Sequence, residues 1–319
     1  MNSIPLIFNE KPVSINILGG SESVLDVKLS CGLILLNTKG SQFRDSTLKN
    51  LVKQGFEQIV SIENSAENYN VENYVHRYPT VKFIIPLEKA TEGELINLGM
   101  KELKSDFVLV IKDSINLSGD ILTERLLEKL CDSKNFCTAP RLCASGYSSI
   151  PNIFYPGVKA CVFQVLNSSS YCDGCKTLYP LDNIALYDRN KFIQLGGFDY
   201  TIKSPHWQSL DLFFRAWLWG EKIKISTAFC LCYENSIPVE DLSADFSYSR
   251  FYLKNLLARY DEDHALIPNS SFFVYLSRAS CGLLEAIRQF SAAKKWVSIN
   301  KYRFKFDAKY LVENWGKIK

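Results

Sequence analysis

Residues 105 to 117, SDFVLVIKDSINL, end an apolar run with three side chains that could take part in chemistry. Lys112 carries an ammonium group, Asp113 a carboxylate and Ser114 a hydroxyl, and no second carboxylate follows in this stretch. Oxygen ligands suit hard cations such as Mg²⁺ or Mn²⁺, whereas a lysine suits an anion. The stretch therefore raises the question of whether the tip of a buried strand can hold a metal ion.

The elements around this stretch alternate apolar runs with helical periods, which predicts β-α-β, a connection, and β-α-β. The predicted elements are a strand at 31–37, a helix near 46–54, strands at 58–63 and 81–85, a helix near 92–104 and a strand at 107–111. Asp45 or Ser46 is expected to cap the first helix, Gly55 to end it, and Thr91 with Glu94 to form a capping box for the second. Strands that are apolar throughout belong in a parallel sheet covered on both faces.

Polar residues stand where these strands end. They are Asn37 and Thr38, Glu63, and the Lys112 to Ser114 tip. Open sheets of this kind bind ligands in the crevice beyond the carboxyl ends of their strands. We therefore expect these residues to line one functional crevice.

The second half of the chain adds a smaller set of elements after a predicted helix near 120–131. A short strand is predicted at FCTAPRLC, and residues 144–180 are loop-rich. A strand, a short helix and a glycine that ends the helix are predicted at NIALYDRNKFIQLGGFD. A helix followed by a strand is predicted at SLDLFFRAWLWGEKIKIS. One apolar face of that last helix runs from Leu210 to Leu218, with Asp211 and Arg215 on its other side. Residues 244–319 read as a helical lobe.

Composition fits one folded α/β unit with an appendage. The chain has 319 residues, of which 47% are hydrophobic, and no stretch reaches the roughly 20 apolar residues of a membrane span. We predict a strand or hairpin prelude at 1–28, an α/β domain at 29–235 and a helical extension at 236–319. The start of the chain lacks the pattern of a signal peptide, so a cytoplasmic location is expected.

The ten cysteines are scattered, which favours reduced thiols over a disulfide framework. Cys172 and Cys175 form a CxxC pair, but a zinc site needs about four ligands and no second close pair follows. A labile disulfide and loop thiols without a role are the alternatives.

Charge is concentrated at the carboxyl terminus. The net charge of +3 is too balanced to indicate a nucleic-acid partner, yet residues 294–319 carry eight Lys or Arg against two acidic residues. Aromatic residues are interleaved with these charges. The segment could contact a membrane surface peripherally, but we favour a terminal element whose aromatics pack on the body.

In the order and spacing of these blocks, residues 29–260 resemble a family-2-type glycosyltransferase with the GT-A fold, a mostly parallel sheet sandwiched by helices. Gly196-Gly197-Phe198-Asp199 ahead of an Asp-bearing helix ending at Gly220 is the most specific block. The resemblance implies transfer of a sugar from a nucleotide-sugar donor to a glycan, lipid-linked or protein acceptor. GxGxxG, Walker, HExxH and GxSxG motifs are absent from the sequence.

The family's Asp-x-Asp motif holds Mn²⁺ or Mg²⁺ against the leaving diphosphate. Here Lys112 and Ser114 occupy the two aspartate positions, and Asp113 lies between them. Three alternatives follow. Asp113 and Ser114 bind a metal weakly, Lys112 replaces the metal as a point charge on the diphosphate, or the site is inactive.

The resemblance also implies a general base near the amino end of the Asp-bearing helix. Gln208 and Ser209 replace the family's acidic pair, which leaves Asp211 as the candidate base. An ion pair with Arg215 explains Asp211 equally well. His206 is a second candidate base, because a neutral imidazole suits that role near pH 7.

The nucleotide-binding positions of the family are retained more closely. Asn37, Thr38 and Glu63 match its nucleoside contacts, and Asn97 with Gly99 matches its Asn-x-Gly. Two hypotheses remain open from the sequence: a divergent glycosyltransferase, and a catalytically silent domain of the same fold that acts as a binding or scaffold partner.

Overall fold

The structure, a computed structural model, describes residues 4–24, 26–37, 44–63, 71–145, 148–160, 162–168, 172–234, 237, 239–243, 245–279 and 281–318. Its strands are β1 (Ile15–Gly19), β2 (Leu29–Asn37), β3 (Phe56–Glu63), β4 (Val81–Pro86), β5 (Phe107–Lys112), β6 (Cys137–Cys143), β7 (Ile153–Lys159), β8 (Val162–Ser168), β9 (Ala185–Asp188), β10 (Ile223–Cys232), β11 (Arg259–Asp261) and β12 (His264–Leu266). Its helices are α1 (Arg44–Gln54), α2 (Val71–Arg77), α3 (Glu92–Glu102), α4 (Glu124–Asp132), α5 (Arg189–Gln194), α6 (Pro205–Leu218), α7 (Phe246–Phe251), α8 (Ser271–Leu276), α9 (Leu283–Asn300) and α10 (Ala308–Glu313).

A sheet of eight strands, counted over the described residues, forms the centre, in the order β1-β4-β3-β2-β5-β9-β6-β10. Strands β2 to β5 run parallel, β9 runs antiparallel between β5 and β6, and β10 pairs parallel with β6. This is the mixed α/β class with a mostly parallel sheet that the sequence predicts. The prelude contributes β1 as an antiparallel edge strand rather than a separate hairpin.

Burial explains why the apolar runs became central strands. All of β2 except Ser30 is buried, and Leu33, Ile34 and Leu35 are fully inaccessible. Removing each such side chain from water contributes about 1.5–3 kcal/mol. Because neighbouring strands and helices cover both faces, an uninterrupted apolar run is stable there where an alternating one is not.

The predicted helix signals are largely confirmed. The Thr91 and Glu94 capping box is present at the start of α3, and Gly55 adopts a left-handed φ of 74° just after α1. Asp45 and Ser46 lie inside α1, which begins at Arg44, so the prediction that either caps the helix is wrong. The region predicted as loop-rich also contains a hairpin formed by β7 and β8.

Helix α6 departs from its predicted amphipathic form. Every residue from His206 to Leu218 is buried, including Asp211 and Arg215, which the helical pattern places on a polar side. A helix covered all round must satisfy its charged residues internally. Arg215 pairs with Asp211 and donates to the Gly197 carbonyl, and the helical lobe supplies Lys254 and Asn255 as further partners of Asp211.

The lobe packs on the sheet domain through aromatic side chains. Trp296 in α9 stacks on Trp219, Trp315 packs edge-on against Trp217, and Phe304 is buried. These contacts support the packing interpretation of the basic segment, and its membrane contact stays a prediction. Among the described residues, no helix is both long and apolar enough to span a bilayer.

Candidate active site

The strand order changes direction between β2 and β5, at the centre of the parallel part of the sheet. Connections from β2 lead to β3 and β4 on one side, while β5 lies on the other. Leu36 and Lys112 are register partners at the carboxyl ends of these two strands. A crevice at such a switch point is the usual ligand site of an open α/β sheet.

The tip of β5 is a turn rather than a continued strand. Strand β5 ends at Lys112, and the Ile115 N–H donates to the Lys112 carbonyl at 3.1 Å. Strand alternation no longer applies to Asp113 and Ser114, both of which are partly exposed. The two side chains predicted as metal ligands therefore lie together on the turn at this edge of the sheet.

Lys112 is buried and makes two ion pairs. Its ammonium donates to Glu92 at 2.5 Å and to Asp182. Burial lowers the pKa of Lys112, but Glu92 and Asp182 outweigh burial and hold the pKa above its ordinary value. The ammonium therefore stays charged, and its charge is offset within the protein rather than presented to a diphosphate.

Asp182 and Asn183 occupy a strained turn ahead of β9. Both have a positive φ, 59° and 58°, a conformation that non-glycine residues rarely adopt. Asn183 donates to Glu92 at 2.6 Å and accepts from Ser209 at 2.8 Å. The turn thus joins α3, α6 and the tip of β5 in one polar cluster.

Tyr233 lies within this cluster, just after β10. Its hydroxyl is 3.4 Å from Asp182 Oδ2. Burial raises its pKa, and the negative charges of Asp182, Glu92 and Glu240 raise it further. We use the name carboxylate cluster for Glu92, Asp182 and Glu240 around Lys112 and Tyr233.

Glu240 has a different environment from the other two carboxylates. Its Oε2 accepts from the Tyr179 hydroxyl at 2.8 Å, and its Oε1 is 3.3 Å from His206 Nδ1. The Glu240 side chain is 26% exposed, whereas the His206 side chain is 3% exposed. The candidate base His206 is therefore present at the site, but the accessible group of the pair is Glu240.

A cavity of about 480 Å³ lies on the β2 side of the β5 tip. It is lined by Ser46, Thr47, Lys49, Asn50, Lys53, Leu117, Ser118 and Glu234. The Glu234 N–H donates to the Ser114 carbonyl at 2.9 Å, which joins the cavity to the tip. Two lysines against one glutamate give the wall a net positive charge, which suits an anionic ligand.

Asn37 and Glu63 end β2 and β3 at the crevice edge, where both take part in buried polar contacts. The Asn37 amide donates to Ser61 at 2.8 Å and to Glu63 at 3.3 Å, and Glu63 is fully buried in an ion pair with Arg44. Arg44 also stacks over Tyr74. Thr38 lies outside the described residues. This geometry gives Glu63 a clear role in fixing α1 to the strand end.

Asn97 and Gly99 lie further along α3 and serve packing. Asn97 exchanges two hydrogen bonds with the Phe198 backbone, at 2.9 and 3.0 Å. A Cβ at Gly99 would stand 2.6 Å from Ile34 Cδ1, so the glycine allows α3 to approach β2. Both residues thus help to place α3, and their contact with a nucleotide stays a prediction.

Asp211 belongs to a buried network instead of the crevice. Its carboxylate accepts from Arg215, from Lys254 at 2.8 Å and from Asn255 at 2.7 Å, and the residue is fully inaccessible. Lys254 also binds Asp199 at 2.8 Å. Two carboxylates and two cations compensate each other, so Asp211 is a poor general base and a good anchor between α6 and the lobe.

Four residues of the carboxylate cluster are absent from the predicted site: Glu92, Asp182, Tyr233 and Glu240. A signal existed for Asp182, because Leu-Asp-Asn directly precedes a predicted strand and Asp and Asn tolerate positive φ. The cluster could not be assembled from the sequence, because its members come from four separate segments.

No protein-family model and no curated protein matches this sequence. Among solved structures the chain is similar to GalNAc-T7 with UDP, GalNAc and Mn²⁺, with a TM-score of 0.56, 12% identity, and coverage of 86% of this chain and 58% of that chain. It is also similar to the mannosyltransferase PcManGT from Pyrobaculum calidifontis in complex with GDP-Man and Mn²⁺, with a TM-score of 0.45, 9% identity, and coverage of 91% and 79%. The chain thus spans less than two thirds of GalNAc-T7. The first likeness identifies the fold, which is GT-A.

Proposed function

We propose that this protein is a divergent glycosyltransferase that transfers a sugar from a nucleotide-sugar donor to an acceptor hydroxyl of a glycan or an envelope component. The observation that carries the proposal is the position of the carboxylate cluster and the cationic cavity, which flank the β5 tip at the switch point of a GT-A sheet. Lys112 is buried beside Tyr233 and pairs with the partly exposed Glu92 and Asp182, whereas an ordinary surface lysine keeps its charge in water.

The donor nucleotide binds on the cavity side of the tip. Lys49 and Lys53 project from α1 and supply positive charge toward a diphosphate. Lys112 acts indirectly in this arrangement, because it keeps Glu92 and Asp182 in place beside the sugar. The lysine is a positioning residue.

A divalent ion at the tip would have Asp113 and Ser114 as its protein ligands. Mg²⁺ is commonly bound by one or two carboxylates and completed by substrate phosphates, so one carboxylate and one hydroxyl fit a weak site. Such an ion would neutralise charge on the leaving diphosphate. Among the described residues, Asp113 belongs to no group of three potential ligands close enough to share an ion.

Glu240 acts as the general base toward the acceptor hydroxyl. Glu240 is the most exposed of the three carboxylates in the cluster, and it pairs with His206 and Tyr179 rather than with a lysine. A general base must lie within hydrogen-bond reach of the acceptor hydroxyl that it deprotonates. Glu240 meets this requirement better than Asp211, which is inaccessible to solvent. His206 orients the carboxylate.

The test is sugar transfer or donor hydrolysis by the purified chain across a panel of nucleotide sugars, followed by Glu240→Gln. We expect kcat to fall by about 10²–10⁴-fold, the usual contribution of a general base, with donor affinity unchanged. Asp241→Asn, the exposed neighbour, is the matched control. Equal turnover in Glu240→Gln and wild type would reject the base assignment.

The alternative is a silent GT-A domain that acts as a binding partner. It is favoured by the internal ion pairs of Lys112, which stands at an aspartate position of the family's metal-binding motif, and of the candidate base Asp211. Any transfer that depends on the carboxylate cluster would exclude this alternative.

A further inference from the structure

Three cysteines converge at the carboxyl ends of β6 and β10. Cys143 is the last residue of β6, and Cys230 and Cys232 lie near the end of β10. In the parallel pairing of these strands Cys232 is the register partner of Cys143, and Cys230 that of Arg141. Residues two apart on a strand share a face, so all three thiols and the Arg141 side chain project from the same face.

The sulfur positions suit a metal ion. The Sγ atoms of Cys143 and Cys230 are 3.7 Å apart, and all three Sγ atoms lie within 4.8 Å of one another. Tetrahedral zinc binds thiolate sulfur at about 2.3 Å, which sets a sulfur-to-sulfur edge of about 3.8 Å. Among the described residues, these three form the group of His, Cys, Asp or Glu side chains that could share an ion.

A basic side chain stands beside the thiols. Arg141 Nη2 is 3.8 Å from Cys143 Sγ, and the buried Nε of the same guanidinium has no hydrogen-bond partner among the described residues. Three thiolates around a divalent cation leave one net negative charge, which an adjacent guanidinium offsets.

We propose that Cys143, Cys230 and Cys232 form a Zn²⁺ site. On binding, the three thiols release three protons to solvent and form three Zn–S bonds, and a water molecule or a small external ligand takes the fourth position. Cys230 is exposed and Cys232 partly exposed, so the site has an entry path. None of these three cysteines is assigned to sugar transfer, so Zn²⁺ can bind whether or not the chain is a transferase.

Bound zinc would stabilise the edge of the proposed active site. The Tyr233 N–H donates to the Cys143 carbonyl at 2.9 Å, and the Asn116 N–H donates to the Cys232 carbonyl at 2.8 Å. Tyr233 belongs to the carboxylate cluster, and Asn116 follows the β5 tip. Zinc that crosslinks β6 to β10 would therefore hold both segments in place.

The CxxC pair, Cys172 and Cys175, is the alternative zinc ligand set in this chain. Cys172 is exposed and Cys175 partly buried, and neither belongs to the three-thiol group. A better signal in the sequence is Cys-Leu-Cys at 230–232, whose alternation puts two thiols on one face of a strand.

The experiment uses the full chain, reduced and stripped with a chelator, and titrates Zn²⁺ in competition with a chromophoric chelator. We expect one Zn²⁺ per chain, a zinc-dependent rise in Tm, and loss of both in Cys230→Ala/Cys232→Ala. Cys172→Ala/Cys175→Ala is the control and should bind as wild type does. Circular dichroism of each stripped variant separates loss of the site from loss of the fold.

Three results would overturn the proposal. They are no stoichiometric binding by the folded wild type, binding that survives in Cys230→Ala/Cys232→Ala, and binding lost in the CxxC variant instead. A fourth contradicting result would come from mass spectrometry. A disulfide within the three-thiol group that persists under reductant would assign these thiols to redox chemistry instead of zinc binding.

Discussion

Lys112 shows how a single buried cation can organise a site. Its ammonium compensates two carboxylates from different segments, Glu92 at the start of α3 and Asp182 before β9. The desolvation cost of each charge is offset only while all three remain together. The arrangement is therefore sensitive to the loss of the lysine.

Replacing Lys112 with methionine should destabilise the protein by about 3–5 kcal/mol, because two carboxylates lose their counter-charge. Urea unfolding measures this change. Lys104→Met, at an exposed position, should stay within about 0.5 kcal/mol. Adding Asp182→Asn to Lys112→Met should recover part of the loss, and a double variant no more stable than the single one would contradict the pairing.

Asp199 links stability to pH. Burial alone would raise its pKa, but Lys254 outweighs burial and holds the pKa below its usual value. A carboxyl with a lowered pKa in the folded state contributes stability above its unfolded pKa of about 3.9, and this contribution disappears as the pH falls through the folded value.

Asp199→Asn should therefore lower the free energy of unfolding by about 3 kcal/mol at pH 7. This is the lower end of the range for a broken buried ion pair, because Lys254 still pairs with Asp211. The difference from wild type should shrink as the pH drops below about 3.9. Urea unfolding between pH 7 and pH 3 checks this, with Asp26→Asn as the exposed control. A gap that stays constant with pH would refute the linkage.

At the scale of elements, close approach of α3 to β2 depends on one glycine. Gly99→Ala places a Cβ against Ile34 and should cost about 1–3 kcal/mol through overpacking. Ile34→Val in the same chain should relieve part of that cost. Gly119→Ala, with no atom within 4 Å of its new Cβ, is the matched control. Equal unfolding midpoints for the two alanine variants would contradict this packing.

The main elements could be predicted because each depends on its own residues. Apolar runs such as 107–111 and the capping box at Thr91 are local signals. The β7 and β8 hairpin has a weaker alternation of apolar and polar residues. The position of β1 at the sheet edge depends on its pairing with β4, which is distant in sequence. The polar contacts of Asp211 depend on Lys254 and Asn255 more than 40 positions away, and no periodicity encodes them.

At the scale of the whole molecule, the helical lobe completes the sheet domain. Lys254 and Asn255 reach from the lobe into the Asp199 and Asp211 network, and Trp296 donates to the Pro5 carbonyl at 3.1 Å. The lobe therefore supports α6, whose amino-terminal half carries His206 and Ser209 to the crevice. The Gly-Gly-Phe-Asp block contributes to the site indirectly, because its Asp199 binds Lys254 of the lobe.

Calorimetry measures whether the crevice at the β5 tip binds a nucleotide sugar. UDP, GDP, dTDP, CMP and their common sugar conjugates would be titrated into the purified chain with and without Mn²⁺ or Mg²⁺. We predict binding by one nucleotide class, strengthened by the metal, and weakened in Asp113→Ala and Lys49→Ala but not in Lys104→Ala. Absence of binding across the panel by demonstrably folded protein, or binding unchanged in both crevice variants, would rule out a nucleotide-sugar site in this crevice.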